Sequence, residues 1–357
     1  MHCDVYTLGS CQLDSYDRKR PSLVVRTSSK LGFVPNVLPS QSSIVASILS
    51  QAHARRRRGR AAGQPHPPAP FIVGSARSGT TLLRLMLDSH PQLAIPPETG
   101  FLPQGLAALF GSDERQRQSF SEAIINFPPE APGWRDFGID QDAFMGELRT
   151  ITPFHVDEAI RCFYRMYAAR FGKDRWGDKT PSYGRHMRAI ERVIPEACFI
   201  HLIRDGRDAA LSLRDLWFSP GRDMATLARQ WRRDICVTRR QSLHCRRYME
   251  LRYESLVLEP ETCLRDICDF IEIDYDPAMK TYHRRAAARL LEHQGRTLAD
   301  GKVLVTQDQR LAQQRLTLCP PDPSRIFRWR TAMLPAERAQ YESIAGGLLR
   351  ALDYPCL

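Results

Sequence analysis

What this chain lacks narrows its class before any motif is read. None of its 357 residues falls in an uninterrupted apolar run approaching the ~20 residues that a membrane-crossing helix needs, so a soluble chain without a membrane span is expected. No positively charged start leads into an apolar segment and a small-residue cleavage site, so no secretory signal is read and a cytoplasmic location is expected. The ten cysteines include no C-x-x-C pair, and no histidine stands at a spacing suited to zinc. Reduced, mostly buried thiols fit that usage, and no metal is expected. Aromatic residues are not interleaved with the basic stretches Arg55 to Arg58 and Arg185, Arg188 and Arg192, which speaks against a nucleic-acid surface.

What is present fits one large folded unit. With 43% apolar residues the chain can bury a sizeable core. Residues 1 to 70 hold ten Lys or Arg against three Asp or Glu, and so carry seven of the eleven net positive charges. The basic character is therefore mostly a property of a leader. Pro65, Pro67, Pro68 and Pro70 mark its end, and the expected division is a disordered leader over residues 1–68 and a folded domain over 69–357.

The most informative stretch runs from Phe71 to Leu83. Phe71, Ile72 and Val73 suit a central strand buried on both faces, Gly74 to Gly79 form a loop, and a helix follows from Thr80 with Leu83, Met86 and Leu87 on one side. Gly74 and Gly79 stand as in the phosphate loop G-x-x-x-x-G-K-S/T, whose backbone N–H groups cradle phosphate oxygens. The lysine is missing, however: Thr80 takes its place, Thr81 keeps the hydroxyl, and Arg77 is the strong charge in the loop. An ATPase would keep that lysine, so the loop suggests a phosphate-bearing donor other than ATP.

Three further units follow. Glu98 comes after Pro96 and Pro97, on a rigid extended segment, and Lys179 lies in the run Gly177-Asp-Lys-Thr-Pro181. A basic helix from about Tyr183 to Val193 leads into a strand from Cys198 to Ile203, which ends in Arg204-Asp-Gly-Arg-Asp208, and Ser212 sits on the next helix. Strand, helix and strand with short connections predict parallel pairing, and ligands of open parallel sheets bind outside the carboxyl ends of the strands. A later strand and helix are read over Leu251 to Ile273, and a closing helix over Pro335 to Leu352, with Tyr341, Ile344, Leu348 and Leu352 as its core stripe. Residues 283–320, rich in Arg and Gln with weak periodicity, read as a flexible segment gating the cleft. His90 and His201, the histidines nearest these motifs, read as structural.

Together, the segments FIVGSARSGTTLLRLMLDSHPQLAIPPET, GDKTP and FIHLIRDGRDAALS resemble the sulfotransferases that use 3'-phosphoadenosine 5'-phosphosulfate (PAPS). Within them the pattern is similar to the tyrosylprotein sulfotransferases and their bacterial relatives, over about Phe71 to Tyr354. The resemblance implies an α/β, P-loop-like three-layer fold with a central parallel sheet flanked by helices. It implies PAPS as co-substrate and PAP as product, with no metal. Arg77, Ser78, Gly79, Thr80 and Thr81 match the segment that binds the 5'-phosphosulfate. Arg204 and Ser212 match the pair that binds the 3'-phosphate. Tyr253 matches a tyrosine near the nucleotide, and Arg328 a basic residue of the region that closes over it. Glu98 matches a general base that takes the acceptor proton, and Lys179 would stabilise charge on the sulfuryl or bridging oxygens.

The pattern also departs from parts of that family. The cytosolic small-molecule branch has a lysine where Arg77 stands, which argues against steroid or phenol substrates, and the tyrosylprotein enzymes carry a membrane anchor. The acceptor is therefore left as a hydroxyl on a peptide tyrosine, a carbohydrate, a glycolipid or a small natural product, and a homodimer is left open. The alternative is a P-loop kinase-like phosphotransferase using Thr81 with Mg2+ and Asp205 as metal ligand or base.

Overall fold

The computed structural model describes residues 24–27, 66–105 and 112–356. Most of the expected leader, including the Arg55 to Arg58 run, lies outside the described residues. Within it, Val24–Thr27 form a strand, β1, which an entirely disordered leader did not include. The chain continues as β2 (Ala69–Gly74), α1 (Thr80–Asp88), β3 (Leu93–Ala94), α2 (Asp113–Ile125), α3 (Gln141–Thr150), α4 (Val156–Ala169), β4 (Arg175–Trp176), β5 (Asp178–Lys179) and α5 (Met187–Val193). It proceeds through β6 (Ala197–Ile203), α6 (Gly206–Leu213), α7 (Met224–Ser242), β7 (Arg247–Arg252), α8 (Tyr253–Leu258) and α9 (Pro260–Ile271). Its last third holds α10 (His283–Leu290), β8 (Arg296–Thr297), β9 (Val303–Val305), α11 (Gln307–Gln314) and α12 (Pro335–Ala351). Among the described residues, no helix is long and apolar enough to cross a membrane.

The central sheet has the order β1-β7-β6-β2-β5. Strands β5, β2, β6 and β7 are parallel, as expected, and β1 runs antiparallel along the edge of β7. All of β2 and β6 is buried, which explains their nearly unbroken apolar sequences: a sheet covered by helices on both faces has no solvent side for polar residues. Phe71 and Val73 pack with Tyr164, Tyr183 and Phe199 in one core, whereas Ile72 joins Leu83, Met86, Ile200 and Ile267 in the other. Each such side chain stabilises the fold by about 1.5–3 kcal/mol, and Ile72→Ala would cost about 2–5 kcal/mol once the resulting cavity is included.

Strand order also positions the site. The chain leaves β2, returns on one side as β5, and crosses to the other side as β6. The carboxyl end of β2 is thus a switch point, flanked by Lys179 from β5 and Arg204 after β6. A third core, formed by Trp231, Ile235, Trp329, Tyr341, Ala345 and Leu349 among others, packs α6, α7 and α12 beside it. The expected stripe on α12 is displaced: Tyr341, Ala345, Gly346 and Leu349 are the buried positions, and Ile344, Leu348 and Leu352 lie partly buried against them.

Residues 283–320, expected as a flexible segment, carry regular secondary structure. The segment forms α10, a hairpin of β8 and β9, α11 with a Thr306–Gln309 capping box, and a short 3-10 turn. Its weak apolar periodicity is explained by polar docking. Arg289 donates to both oxygens of Asp88 at 2.7 and 2.9 Å and to the Tyr167 hydroxyl at 2.6 Å, while Glu292 accepts from Arg84 at 3.0 Å. Buried ion pairs with long side chains hold this segment to α1 where a greasy helix face would otherwise do so.

Candidate active site

The loop between β2 and α1 depends on its two glycines. A side chain at Gly74 would place its Cβ 2.6 Å from the Leu202 carbonyl oxygen and 2.8 Å from the Ser78 hydroxyl. Gly79 has φ +96°, and a Cβ there would meet the Tyr253 ring at 2.4 Å. Helix α1 starts at this glycine without a side-chain cap and without an acidic residue in its first turn. Its first N–H groups therefore face outward as donors, an arrangement suited to an anion. The buried hydroxyls of Ser75 and Ser78 also lack a partner.

Two guanidinium groups converge beside the loop. Arg77 donates through Nε to the Ser212 hydroxyl at 3.1 Å and through Nη2 to the Gln313 carbonyl at 3.3 Å. Arg204 donates to the carbonyls of Arg77 and Arg325 at 3.2 and 3.0 Å and lies over the Tyr253 ring at 4.3 Å, with its buried Nε unpartnered. Burial, and then repulsion from Arg204, push the Arg77 pKa below its ordinary value, with Glu98 opposing. Two like charges held together without a carboxylate in ion-pair contact among the described residues form a site prepared for a polyanion. Ser212, expected to share the 3'-phosphate with Arg204, lies on the same cavity wall, where its hydroxyl accepts from Arg77.

The third component is an ion pair. Lys179 Nζ donates to Glu98 Oε1 at 2.6 Å and lies 3.4 Å from the Thr81 hydroxyl. Lys179 is almost wholly buried, with its side chain 3% exposed, whereas that of Glu98 is 55% exposed. Burial lowers the lysine pKa and the glutamate raises it. Beneath the pair lies a network legible in no single motif. Asp178 Oδ2 accepts from the hydroxyls of Thr99 at 2.7 Å and Tyr164 at 2.9 Å, and the Thr99 N–H donates to the Thr180 hydroxyl at 3.1 Å. It joins the neighbour of Glu98 to both neighbours of Lys179 and so fixes their separation. Burial pushes the Asp178 carboxyl up to about 6.

These groups line one cavity of about 680 Å³, reached by Arg77, Gly79, Thr80, Thr81, Glu98, Lys179, Arg204, Ser212, Tyr253 and Arg328. Ser78 is the exception: it is fully buried behind the wall. The sequence reading missed His293, whose unpartnered buried Nδ1 belongs to a ring that burial and nearby arginines push down to about 2. Nothing in its neighbourhood signalled it. His90 and His201 lie outside the cavity wall: His90 contacts the Asp274 carbonyl at 2.9 Å, and His201 contacts the Tyr248 hydroxyl at 2.6 Å. The kinase alternative fails at Asp205, which is fully buried and held by both Nε and Nη2 of Arg207, at 3.0 and 2.7 Å. A carboxylate so engaged is not offered to a metal or substrate.

An anion-binding loop at the switch point of a parallel sheet, beside a carboxylate–lysine pair, defines a nucleotide-dependent group transferase. Residues 68–277 match the model of the sulfotransferase family, and the chain belongs to that family. It is a PAPS-dependent sulfotransferase related to the tyrosylprotein sulfotransferases. The chain is 24% identical to protein-tyrosine sulfotransferase 1 of Danio rerio over 322 residues, covering 86% of this chain and 79% of that protein. It is 32% identical to the nodulation protein NoeE of Sinorhizobium fredii over 158 residues, 44% of this chain and 33% of that protein. Among solved structures, the sulfotransferase domain from the Synechococcus olefin synthase shares the fold, with a TM-score of 0.51 at 24% identity, covering 84% of this chain and all of that domain.

Proposed function

We propose that this enzyme moves the sulfuryl group of PAPS to an acceptor hydroxyl by in-line displacement, with Glu98 as general base. The observation that carries this reading is the Glu98–Lys179 contact of 2.6 Å, in one cavity with an uncapped helix N-terminus and two guanidinium groups that have no carboxylate partner among the described residues. The donor brings an activated sulfur–oxygen bond, whose bridging oxygen keeps the electron pair as PAP leaves. Backbone N–H groups from Gly79 to Thr81 and the Arg77 guanidinium would hold the 5' end, and Arg204 the 3'-phosphate, with Tyr253 stacked against it. Arg328 lines the same cavity and would close over the nucleotide.

Glu98 takes the acceptor proton as the new sulfur–oxygen bond forms. Its protonation also removes the counter-charge of Lys179. The buried ammonium is then free to face the negative charge developing on the sulfuryl and bridging oxygens, within reach of the Thr81 hydroxyl. Sulfuryl transfer rests on placement and electrostatic stabilisation, and these residues supply both. A cytoplasmic place of action is part of this proposal and rests on the sequence alone.

Calorimetric titration with PAP, against ATP and 5'-AMP and without added metal, tests the donor assignment. Binding of PAP in the micromolar range, at least about tenfold tighter than ATP, is expected from the two separate phosphate sites. Equal binding of ATP would overturn it.

A further inference from the structure

We infer, against the expectation drawn from Arg77, that the acceptor is an uncharged alcohol or phenol with an apolar body, and that the rim formed by Trp217, Phe218, Leu304 and Leu316 holds that body. The inference rests on the sulfotransferase reading above and goes beyond it by assigning the acceptor half of the cavity.

Charge is the first argument. Seven arginines line the cavity among the described residues. Four are matched by carboxylates of this chain: Arg185 by Asp234 at 2.6 Å, Arg296 and Arg310 by Asp136 at 2.7 and 2.8 Å, and Arg325 by Asp322 at 3.6 Å. Arg77, Arg204 and Arg328 have no such partner among the described residues, and these three are the ones assigned to the donor. Once a bisphosphate nucleotide occupies them, every remaining arginine of the wall is in ion-pair contact with a carboxylate of this chain, Arg296 and Arg310 sharing Asp136, so little positive charge is left for an acidic acceptor.

Apolar surface is the second. Trp217, Phe218, Leu304 and Leu316 line the cavity although they are 54%, 40%, 40% and 47% exposed. They come from two separate stretches, the turn after α6 and the segment running from β9 past α11, and the Trp217 and Phe218 rings meet edge to face at 5.4 Å. Large apolar groups scattered singly over a surface need no explanation, but four around one cleft mark a binding surface. The apolar lining also reaches the base. A Cβ at Gly100 would lie 2.4 Å from the Phe127 ring, so Phe127 packs against the backbone two residues beyond Glu98. The polar atom that His293 adds, its unpartnered Nδ1, belongs to a neutral ring and suits a hydrogen bond to an uncharged group.

The test uses the whole protein saturated with PAP. It is titrated calorimetrically with phenol, 4-ethylphenol, 4-butylphenol and 4-hexylphenol, and with a tyrosine peptide flanked by glutamates. Affinity should rise about two- to fourfold per added methylene, and the peptide should bind more weakly than 4-hexylphenol. Trp217→Ser combined with Phe218→Ser should flatten the series while leaving PAP affinity unchanged. A series already flat in the unaltered protein, or a peptide that binds tighter with strong salt dependence, overturns the inference while the donor assignment stands. Failure of PAP itself to bind removes the donor assignment and the inference together.

Discussion

Replacing Glu98 by Gln separates chemistry from binding, and its consequences can be worked from one contact. Glutamine keeps the shape of the side chain and loses both the negative charge and the capacity to take a proton. Glu98 Oε1 lies 2.6 Å from Lys179 Nζ. Coulomb's law gives about 1.6 kcal/mol for that separation in bulk water and about 6 kcal/mol at the effective dielectric constant of a protein surface. Glu98 is more than half exposed, so the lower part of that range applies, and about 1–2 kcal/mol of folding stability should be lost. The lysine it leaves behind is buried, and its pKa, already depressed, should fall further. Transfer of labelled sulfuryl from PAPS should fall about 10²–10⁴-fold in kcat, the usual range for a lost general base. PAP affinity should stay within about threefold, because the donor contacts lie on Arg77, Arg204 and the α1 N-terminus. The assay is single-turnover transfer with a confirmed acceptor, beside a thermal melt and a PAP titration. A Glu98→Gln variant that keeps kcat within about threefold would refute the base assignment, whatever happens to its stability.

Other expectations follow from neighbouring geometry. Arg204→Ala removes charge-assisted hydrogen bonds each worth about 1.5–3 kcal/mol, so PAP should bind roughly 10- to 150-fold more weakly by calorimetry; an unchanged affinity would place the 3'-phosphate elsewhere. Gly79→Ala forces a Cβ into a backbone at φ +96° and to 2.4 Å from the Tyr253 ring, which supports Arg204. A loss of about 1–2 kcal/mol from the backbone term alone is expected in urea unfolding, with PAP affinity falling as well; a variant as stable as the parent would contradict the loop geometry. His201 is buried and held down to about 4, so its neutral form stabilises the fold fully above the unfolded value of 6.5. That contribution, about 3 kcal/mol, should be lost as pH falls from 6.5 towards 4, and His201→Gln should show a correspondingly shallower pH dependence of unfolding.

Much of this architecture is local and therefore legible in the chain. An unbroken apolar strand, a loop bounded by Gly74 and Gly79, and a helix with its leucines on one side specify a buried strand, an anion loop and a docking helix within about twenty residues. The missing loop lysine and the order of the three motifs were enough to indicate the donor class. Hydrophobic periodicity failed over residues 283–320, because that segment is held by Arg289, Glu292 and their partners, and the interactions of charged side chains leave no repeat to read.

Tertiary structure alone decided how the site is wired. Lys179 and Glu98 are 81 positions apart and Arg77 and Ser212 are 135 apart, so neither contact could be derived from spacing. Sequence placed Arg77 in the loop after one strand, Arg204 at the end of another, Glu98 on an extended segment and Lys179 in a run before a helix; sheet order brought them together. Which arginines are neutralised within the fold and which face the cavity unpaired likewise depends on carboxylates from distant elements. A charge acquires its role from what remains beside it after folding, because desolvation and pairing are properties of the packed molecule and are absent from the extended chain.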